Sequence, residues 1–197
     1  MNTPNKLTML RLILVPFYVF FLLMPSIPHN FLAALIIFAA AAYTDHLDGK
    51  IARKHNMITD FGKFADPLAD KVMIVSALAC FVQLGITNAV VLIIIVAREF
   101  AVTSVRLVAA DKGKVVAANK WGKAKTISQI VSVLAVMLMY YILELHKLGL
   151  ITLGSYDTAA FRFAVASDIL IWISVVFTLV SGVIYIVQNI DFIKQAK

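Results

Sequence analysis

The chain has 197 residues, of which 61% are hydrophobic and 15% charged, and its mean hydropathy is +0.90. This composition argues against an ordinary soluble domain and favours an integral membrane protein. The net charge of +7 does not indicate nucleic-acid binding, because the basic residues lie between apolar segments and form no single soluble patch.

Six apolar segments, each close to the roughly 20 residues that cross a bilayer, predict an all-α polytopic membrane protein. They lie near residues 8–27, 31–52, 63–84, 88–109, 124–145 and 165–188. Neither a linker nor a repeat divides the sequence, so we expect one domain over residues 1–197.

The basic residues predict the orientation in the cell membrane. Sixteen of the eighteen fall on one side if both termini lie there, and only Lys147 and Arg162 fall on the other. Because cytoplasmic loops carry the excess of Lys and Arg, we expect the termini and the active-site cavity on the cytoplasmic side.

The end of the second segment carries two aspartates beside small residues. Spacings of i, i+3, i+4 and i+7 place four residues on one helix face: Asp45, Asp48, Gly49 and Ala52. Gly49 and Ala52 leave room for a nucleotide to approach the backbone, and Arg53 can grip a diphosphate. Alternatively, Gly49 only weakens the helix near its end and Arg53 is a membrane anchor.

The start of the third segment adds Gly62, Asp66 and Asp70 on one i, i+4, i+8 row. Carboxylates beside apolar spans must be neutralised, and two facing pairs suit Mg²⁺, Mn²⁺ or Ca²⁺. Such sites commonly act on phosphate esters, and one carboxylate can take a proton from an attacking hydroxyl. The pattern indicates transfer of a phosphate-linked lipid. The alternatives are a surface network with Lys63 and Lys71, or a divalent-cation transporter.

The complete pattern, Asp-x2-Asp-Gly-x2-Ala-Arg-x8-Gly-x3-Asp-x3-Asp, resembles the signature of the CDP-alcohol phosphatidyltransferase family. The resemblance implies a six-span membrane enzyme, often a homodimer. It implies that the four aspartates hold Mg²⁺ or Mn²⁺, as two ions, and that Asp70 is also the general base. The acceptor hydroxyl would attack the phosphorus that bears the lipid and expel CMP. The residues implied to contact the CDP portion are Gly49, Ala52, Arg53 and Gly62.

Segments outside the motif resemble the branch of this family that forms phosphatidylglycerophosphate. They are Pro4-Asn5-x-Leu7-Thr8-x2-Arg11, Arg98-Glu99-Phe100, Arg106 and Gly122-Lys123-x-Lys125-Thr126-x2-Gln129. The resemblance implies CDP-diacylglycerol as donor and sn-glycerol 3-phosphate as acceptor. Inositol phosphate, serine and phosphatidylglycerol are the alternative acceptors.

Four cations are candidates for binding the acceptor phosphate: Arg98, Arg106, Lys123 and Lys125. Arg98 interrupts an apolar run, which is a costly place for charge unless it lines a polar cavity. The others can bind an anionic acceptor or, alternatively, anionic lipid headgroups.

Two further groups of residues have open roles. Thr8 and Arg11 either reach the nucleotide or anchor the first helix, and we assign Thr8 to the CDP contacts. The last span carries a stripe of small polar residues, for which we predict helix packing first and cavity lining second: Ser174, Thr178, Ser181 and Gly182.

Overall fold

The structure, a computed structural model, describes residues 3–55, 60–111 and 120–190. Within those ranges the chain forms six helices and no strand, which confirms the all-α prediction. The helices are α1 (Thr3–Leu23), α2 (Asn30–His55), α3 (Asp60–Gln83), α4 (Ala89–Asp111), α5 (Lys120–Lys147) and α6 (Tyr156–Gln188).

Several helix ends differ from the predicted spans by three residues or more, and two of these differences have a local cause. Helix α1 ends at Leu23 and not near residue 27, because Pro25 disfavours helical backbone in the residue before it. Helix α6 begins at Tyr156 and not near residue 165. Ser155 precedes it with extended backbone, and Asp157 in the first turn complements the helix dipole. The polar stretch 146–164 is therefore partly helical and not simply a connection.

Among the described residues, three helices are long and apolar enough to cross a membrane by length and composition: Asn5–Leu23, Lys120–Lys147 and Tyr156–Gln188. The apolar part of α2, Asn30–Asp45, is shorter. Helix α4 falls outside this group because charged side chains interrupt its apolar sequence. Six membrane spans therefore stay a prediction.

The distribution of side chains suits a helical bundle in lipid. Large apolar side chains cover the outside, and Phe100 and Phe161 are 68% and 70% exposed. Polar side chains lie inside: Thr8, Arg11, Lys125, Gln129, Ser174, Thr178 and Ser181. Exposed apolar area of this extent marks a membrane surface, and buried polar groups in such a bundle mark functional or packing sites.

Helix α1 lies between the two helices that carry the aspartate motif. It packs against α2 and α3, while α5 joins α2 to α6, and α4 packs against α6 and α3. The ring of Tyr18 on α1 contacts that of Phe38 on α2 edge-on, with 5.5 Å between centroids. Its hydroxyl donates to the carbonyl oxygen of Met73 on α3 at 2.6 Å. These contacts hold the second half of α1 against the first half of α2 and the middle of α3.

Candidate active site

The first turns of α1 present a buried polar face to the motif. Asn5, Thr8 and Arg11 recur every three residues, so they lie along one side of the helix. All three are buried, and Thr8 and Arg11 are fully so. A charged guanidinium without exposure requires anionic partners, because burying an unpaired charge is very costly.

Those partners are the aspartates of the motif. Arg11 Nη1 donates to Asp45 Oδ1 of α2 at 2.9 Å and forms a second ion pair with Asp70 Oδ1 of α3. One turn earlier, Thr8 Oγ1 donates to Asp66 Oδ1 at 2.5 Å. One helix thus gathers three motif carboxylates, and Asp45 and Asp70 meet at the same nitrogen atom.

The carboxylates remain accessible although Arg11 is not. The side chain of Asp45 is 35% exposed and that of Asp70 is 45% exposed, against 0% for Arg11. Arg11 therefore lies on the protein side of the carboxylates, while part of each carboxylate is accessible to solvent. Such a surface can bind a cation or accept hydrogen bonds from a ligand.

The side chains of four motif residues lie outside the part of the chain that the structure describes. The backbone of α2 continues as helix to His55, but the side chains of Asp48, Gly49, Ala52 and Arg53 lie outside the described residues. Gly62 is described and is buried near the start of α3.

The donor set fits a hard divalent cation. The described side chains at this surface offer carboxylate oxygens and one hydroxyl, which suit Mg²⁺ or Mn²⁺ and not a thiolate-preferring metal. Among the described residues, no three His, Cys, Asp or Glu side chains form a group close enough to hold an ion. Asp48, the fourth predicted ligand, lies outside that search.

A second polar cluster joins α4, α5 and α6. Glu99 Oε1 accepts hydrogen bonds from Arg98 Nη1 at 2.8 Å and from Lys125 Nζ at 2.5 Å. Arg98 Nη2 donates to Ser181 Oγ of α6 at 2.8 Å. Two cations and one carboxylate leave one net positive charge in a nearly buried place. An anionic ligand would balance that surplus charge.

The other two predicted acceptor contacts are arranged differently. Arg106 lies about two turns beyond Arg98 on α4. Its guanidinium carbon is 5.4 Å from the ring centroid of Tyr185, and its Nε donates to the Tyr185 hydroxyl at 3.3 Å. Lys123 is exposed at the start of α5. The structure thus brings Arg98 and Lys125 together through Glu99, while Arg106 packs on an aromatic ring.

A cavity lies at the opposite end of the bundle. It encloses about 630 Å³ between the α1–α2 turn, α5 and α6. Glu144 lines it and accepts the backbone N–H groups of Asn30 and Phe31, at 3.2 and 3.4 Å. These bonds cap the start of α2, so we interpret the carboxylate as structural.

Sequence reasoning named Arg11, Glu99 and Ser181, but it did not predict the contacts that these three residues make: the ion pairs of Arg11 with Asp45 and Asp70, the pairing of Glu99 with Arg98 and Lys125, and the hydrogen bond of Ser181 to Arg98. The repeat of Asn5, Thr8 and Arg11 on one face is a signal that could have indicated a polar contact for α1. The role of Glu99 and the partner of Ser181 depend on which helices are neighbours, which periodicity alone does not specify.

Comparisons with known proteins point to one family. The sequence profile of the CDP-alcohol phosphatidyltransferase family matches residues 1–180. A CDP-diacylglycerol–glycerol-3-phosphate 3-phosphatidyltransferase of Bacillus subtilis (strain 168) is 42% identical over 206 residues, covering 99% of this chain and 98% of the relative.

Two further relatives carry the same name. That of Haemophilus influenzae is 40% identical over 135 residues, which cover 66% of this chain and 72% of the relative. That of Rickettsia felis is 29% identical over 184 residues, covering 93% of each chain. On the extent of these matches, the chain belongs to the CDP-alcohol phosphatidyltransferase family.

Proposed function

We propose that this protein transfers the phosphatidyl group of CDP-diacylglycerol to sn-glycerol 3-phosphate, giving phosphatidylglycerophosphate and CMP. The observation that carries the proposal is the meeting of Asp45, Asp66 and Asp70 on the buried Thr8–Arg11 face of α1. The names of the relatives supply the donor and the acceptor. Family membership alone leaves other acceptors possible.

The donor is assigned to the motif surface. Asp45, Asp48, Asp66 and Asp70 would hold Mg²⁺ or Mn²⁺ as two ions, and the hard oxygen donors of the described three support this. When bound, the metal neutralises the diphosphate and stabilises charge on the attacked phosphoryl group. The remaining donor contacts are assigned to Thr8, Gly49, Ala52, Arg53 and Gly62.

The acceptor is assigned to the cluster around Arg98. Lys125 and Arg98 share the single carboxylate of Glu99, and their surplus positive charge suits the phosphate of glycerol 3-phosphate. Arg106 and Lys123 extend the same positive field along α4 and α5. Membership of a phosphatidyltransferase family favours this reaction over the alternative of a divalent-cation transporter.

The chemistry needs one proton acceptor and one leaving group. The acceptor hydroxyl oxygen forms a bond to the phosphorus that bears the diacylglycerol, and the bond from that phosphorus to CMP breaks. CMP leaves with the bonding electron pair, and the hydroxyl proton passes to a carboxylate oxygen of Asp70. The 45% exposure of Asp70 makes its carboxylate accessible to a substrate hydroxyl.

The membrane arrangement belongs to the same proposal. The protein would be one domain over residues 1–197 with six spans, a homodimer in the cell membrane. Both termini and the active site would lie on the cytoplasmic side. The distribution of Lys and Arg in the sequence supports this orientation.

An acceptor panel tests the proposed reaction. Protein purified in detergent is incubated with CDP-diacylglycerol and Mg²⁺, and CMP release is measured with sn-glycerol 3-phosphate, inositol phosphate, serine or phosphatidylglycerol. We expect rapid release with glycerol 3-phosphate alone. Preferential use of another acceptor would refute the assignment but leave the reaction class standing, whereas no release with any acceptor would contradict both.

A matched pair of variants tests the site. Asp66→Asn should abolish CMP release, because it alters a motif carboxylate. Asp157→Asn makes the same chemical change on an exposed residue in the first turn of α6, and it should leave the rate unchanged. Equal activities of the two variants would argue against the aspartate motif as the catalytic surface.

A further inference from the structure

Two neighbouring residues of α6 contact Arg98 directly. Ser181 Oγ accepts a hydrogen bond from Arg98 Nη2 at 2.8 Å. A Cβ atom at Gly182 would lie only 2.9 Å from Arg98 Cγ, closer than carbon atoms approach in packed proteins. Helix α6 thus leaves a space for the stem of this arginine and supplies a hydrogen-bond acceptor for its end.

The hydroxyl of Ser181 is oriented for this task. It donates its single proton to the carbonyl oxygen of Thr178 at 3.0 Å, within the same helix. A lone pair of the oxygen therefore points away from that carbonyl and can accept from Arg98. With Nη1 bound to Glu99 and Nη2 bound to Ser181, the planar guanidinium is held at two corners by groups from two helices.

We infer that Ser181 and Gly182 are positioning residues that set the affinity of the acceptor site by fixing the guanidinium of Arg98. The inference rests on the proposed function, in which Arg98 contacts the acceptor phosphate. Without the hydroxyl of Ser181, the guanidinium can turn toward Glu99 and pair with it more fully. Its donors are then withdrawn from an incoming phosphate. A side chain at Gly182 displaces the stem with the same result.

The first experiment removes the hydroxyl. Ser181→Ala is assayed for the KM of glycerol 3-phosphate, the KM of CDP-diacylglycerol and kcat. We expect the acceptor KM to rise roughly three- to tenfold, as the loss of one ordinary hydrogen bond would produce, because Ser181 acts on the phosphate only through Arg98. The donor KM should be unchanged. Ser174→Ala is the matched control, because the buried Ser174 hydroxyl donates to Ile171 O at 2.7 Å within α6. It should change neither KM.

The second experiment separates positioning from helix packing. Gly182→Ala is made in the wild type and in an Arg98→Ala background, where the clashing Cγ is absent. The acceptor KM should rise in the first case and show no further rise in the second. An equal rise in both backgrounds, or a parallel rise of both KM values, would overturn the inference, because it would mean that α6 packing alone is disturbed.

The outcomes distinguish this inference from the proposed function. If Arg98→Ala leaves the acceptor KM unchanged, the assignment of Arg98 to the acceptor phosphate is wrong. If Arg98→Ala raises that KM but Ser181→Ala behaves like Ser174→Ala, the assignment stands and the positioning role of α6 is wrong.

Discussion

Replacement of Arg11 by Met is expected to destabilise the folded protein and to make its stability depend more strongly on divalent metal. Arg11 is the fully buried partner of Asp45 and Asp70. Met keeps much of the length and apolar stem of the side chain but removes the charge and the donors. Two carboxylates from α2 and α3 would then repel each other where a cation had joined them.

The expected magnitude follows from the burial of the three groups. Removal of one partner from a fully buried ion pair costs about 3–5 kcal/mol. Asp45 and Asp70 are 35% and 45% exposed, so solvent screens the charges left behind. We therefore expect a loss of roughly 2–3 kcal/mol in the free energy of unfolding, which lies between the values typical of fully buried and of surface ion pairs. Arg11→Lys should be intermediate, because one ammonium group lacks the planar fork of Arg.

Thermal unfolding in detergent, with excess chelator or excess Mg²⁺, measures this effect. In chelator, Arg11→Met should unfold at a lower temperature than the wild type. Mg²⁺ should raise its midpoint more than that of the wild type, because the bound cation replaces the missing charge. Lys6→Met removes an exposed cation from the same helix and is the control. If Arg11→Met is as stable as this control in chelator, or gains less from Mg²⁺ than the wild type, the reasoning is refuted.

Three further outcomes are expected. In equilibrium binding with Mg²⁺, Asp70→Asn should retain CDP-diacylglycerol binding but lose transfer activity. Asp45→Asn should weaken donor binding as well. Equal loss of donor binding in both variants would make Asp70 chiefly a metal ligand. Arg106→Ala should raise the KM of glycerol 3-phosphate more than that of the donor, by about tenfold or more if it contacts the phosphate; parallel changes would assign it to lipid anchoring. Glu144→Gln should lower the free energy of unfolding by about 1 kcal/mol, because it caps α2 more weakly, and it should leave both KM values unchanged. An altered KM would contradict a purely structural role.

The sequence was sufficient for the parts of the structure that depend on local pattern. Apolar runs predicted the helices, and spacings of three and four placed the aspartates on helix faces. The predicted start of the last span, near residue 165, was nine residues too late for α6. Residues 156–164 mix polar and apolar side chains, and a hydropathy criterion does not register their helix propensity. The family signature identified the family because it fixes residue types at exact spacings, which is more specific than hydropathy.

The remaining features depend on contacts between distant residues. The pairing of Arg11 with Asp45 and Asp70 requires that α1 lie between α2 and α3. The periodicity of α1 shows which of its faces is polar but does not show which helices pack against that face. The stripe on α6 was expected to pack helices, and Thr178 does so by accepting a hydrogen bond from Gln129. Ser181 and Gly182, one turn further along α6, lie against Arg98 instead. The sequence could not predict this because it depends on α4 packing against α6.

Transfer of label from glycerol 3-phosphate into lipid is the most direct test of the central claim, that the aspartate motif carries out phosphatidyl transfer to this acceptor. Purified protein is incubated with CDP-diacylglycerol, Mg²⁺ and radiolabelled sn-glycerol 3-phosphate, and chloroform-soluble label is counted. We expect the wild type to form labelled phosphatidylglycerophosphate in equal amount to the CMP released, and Asp66→Asn to form none. Label that stays in the aqueous phase with the wild type, or lipid product formed equally by Asp66→Asn, would contradict the account.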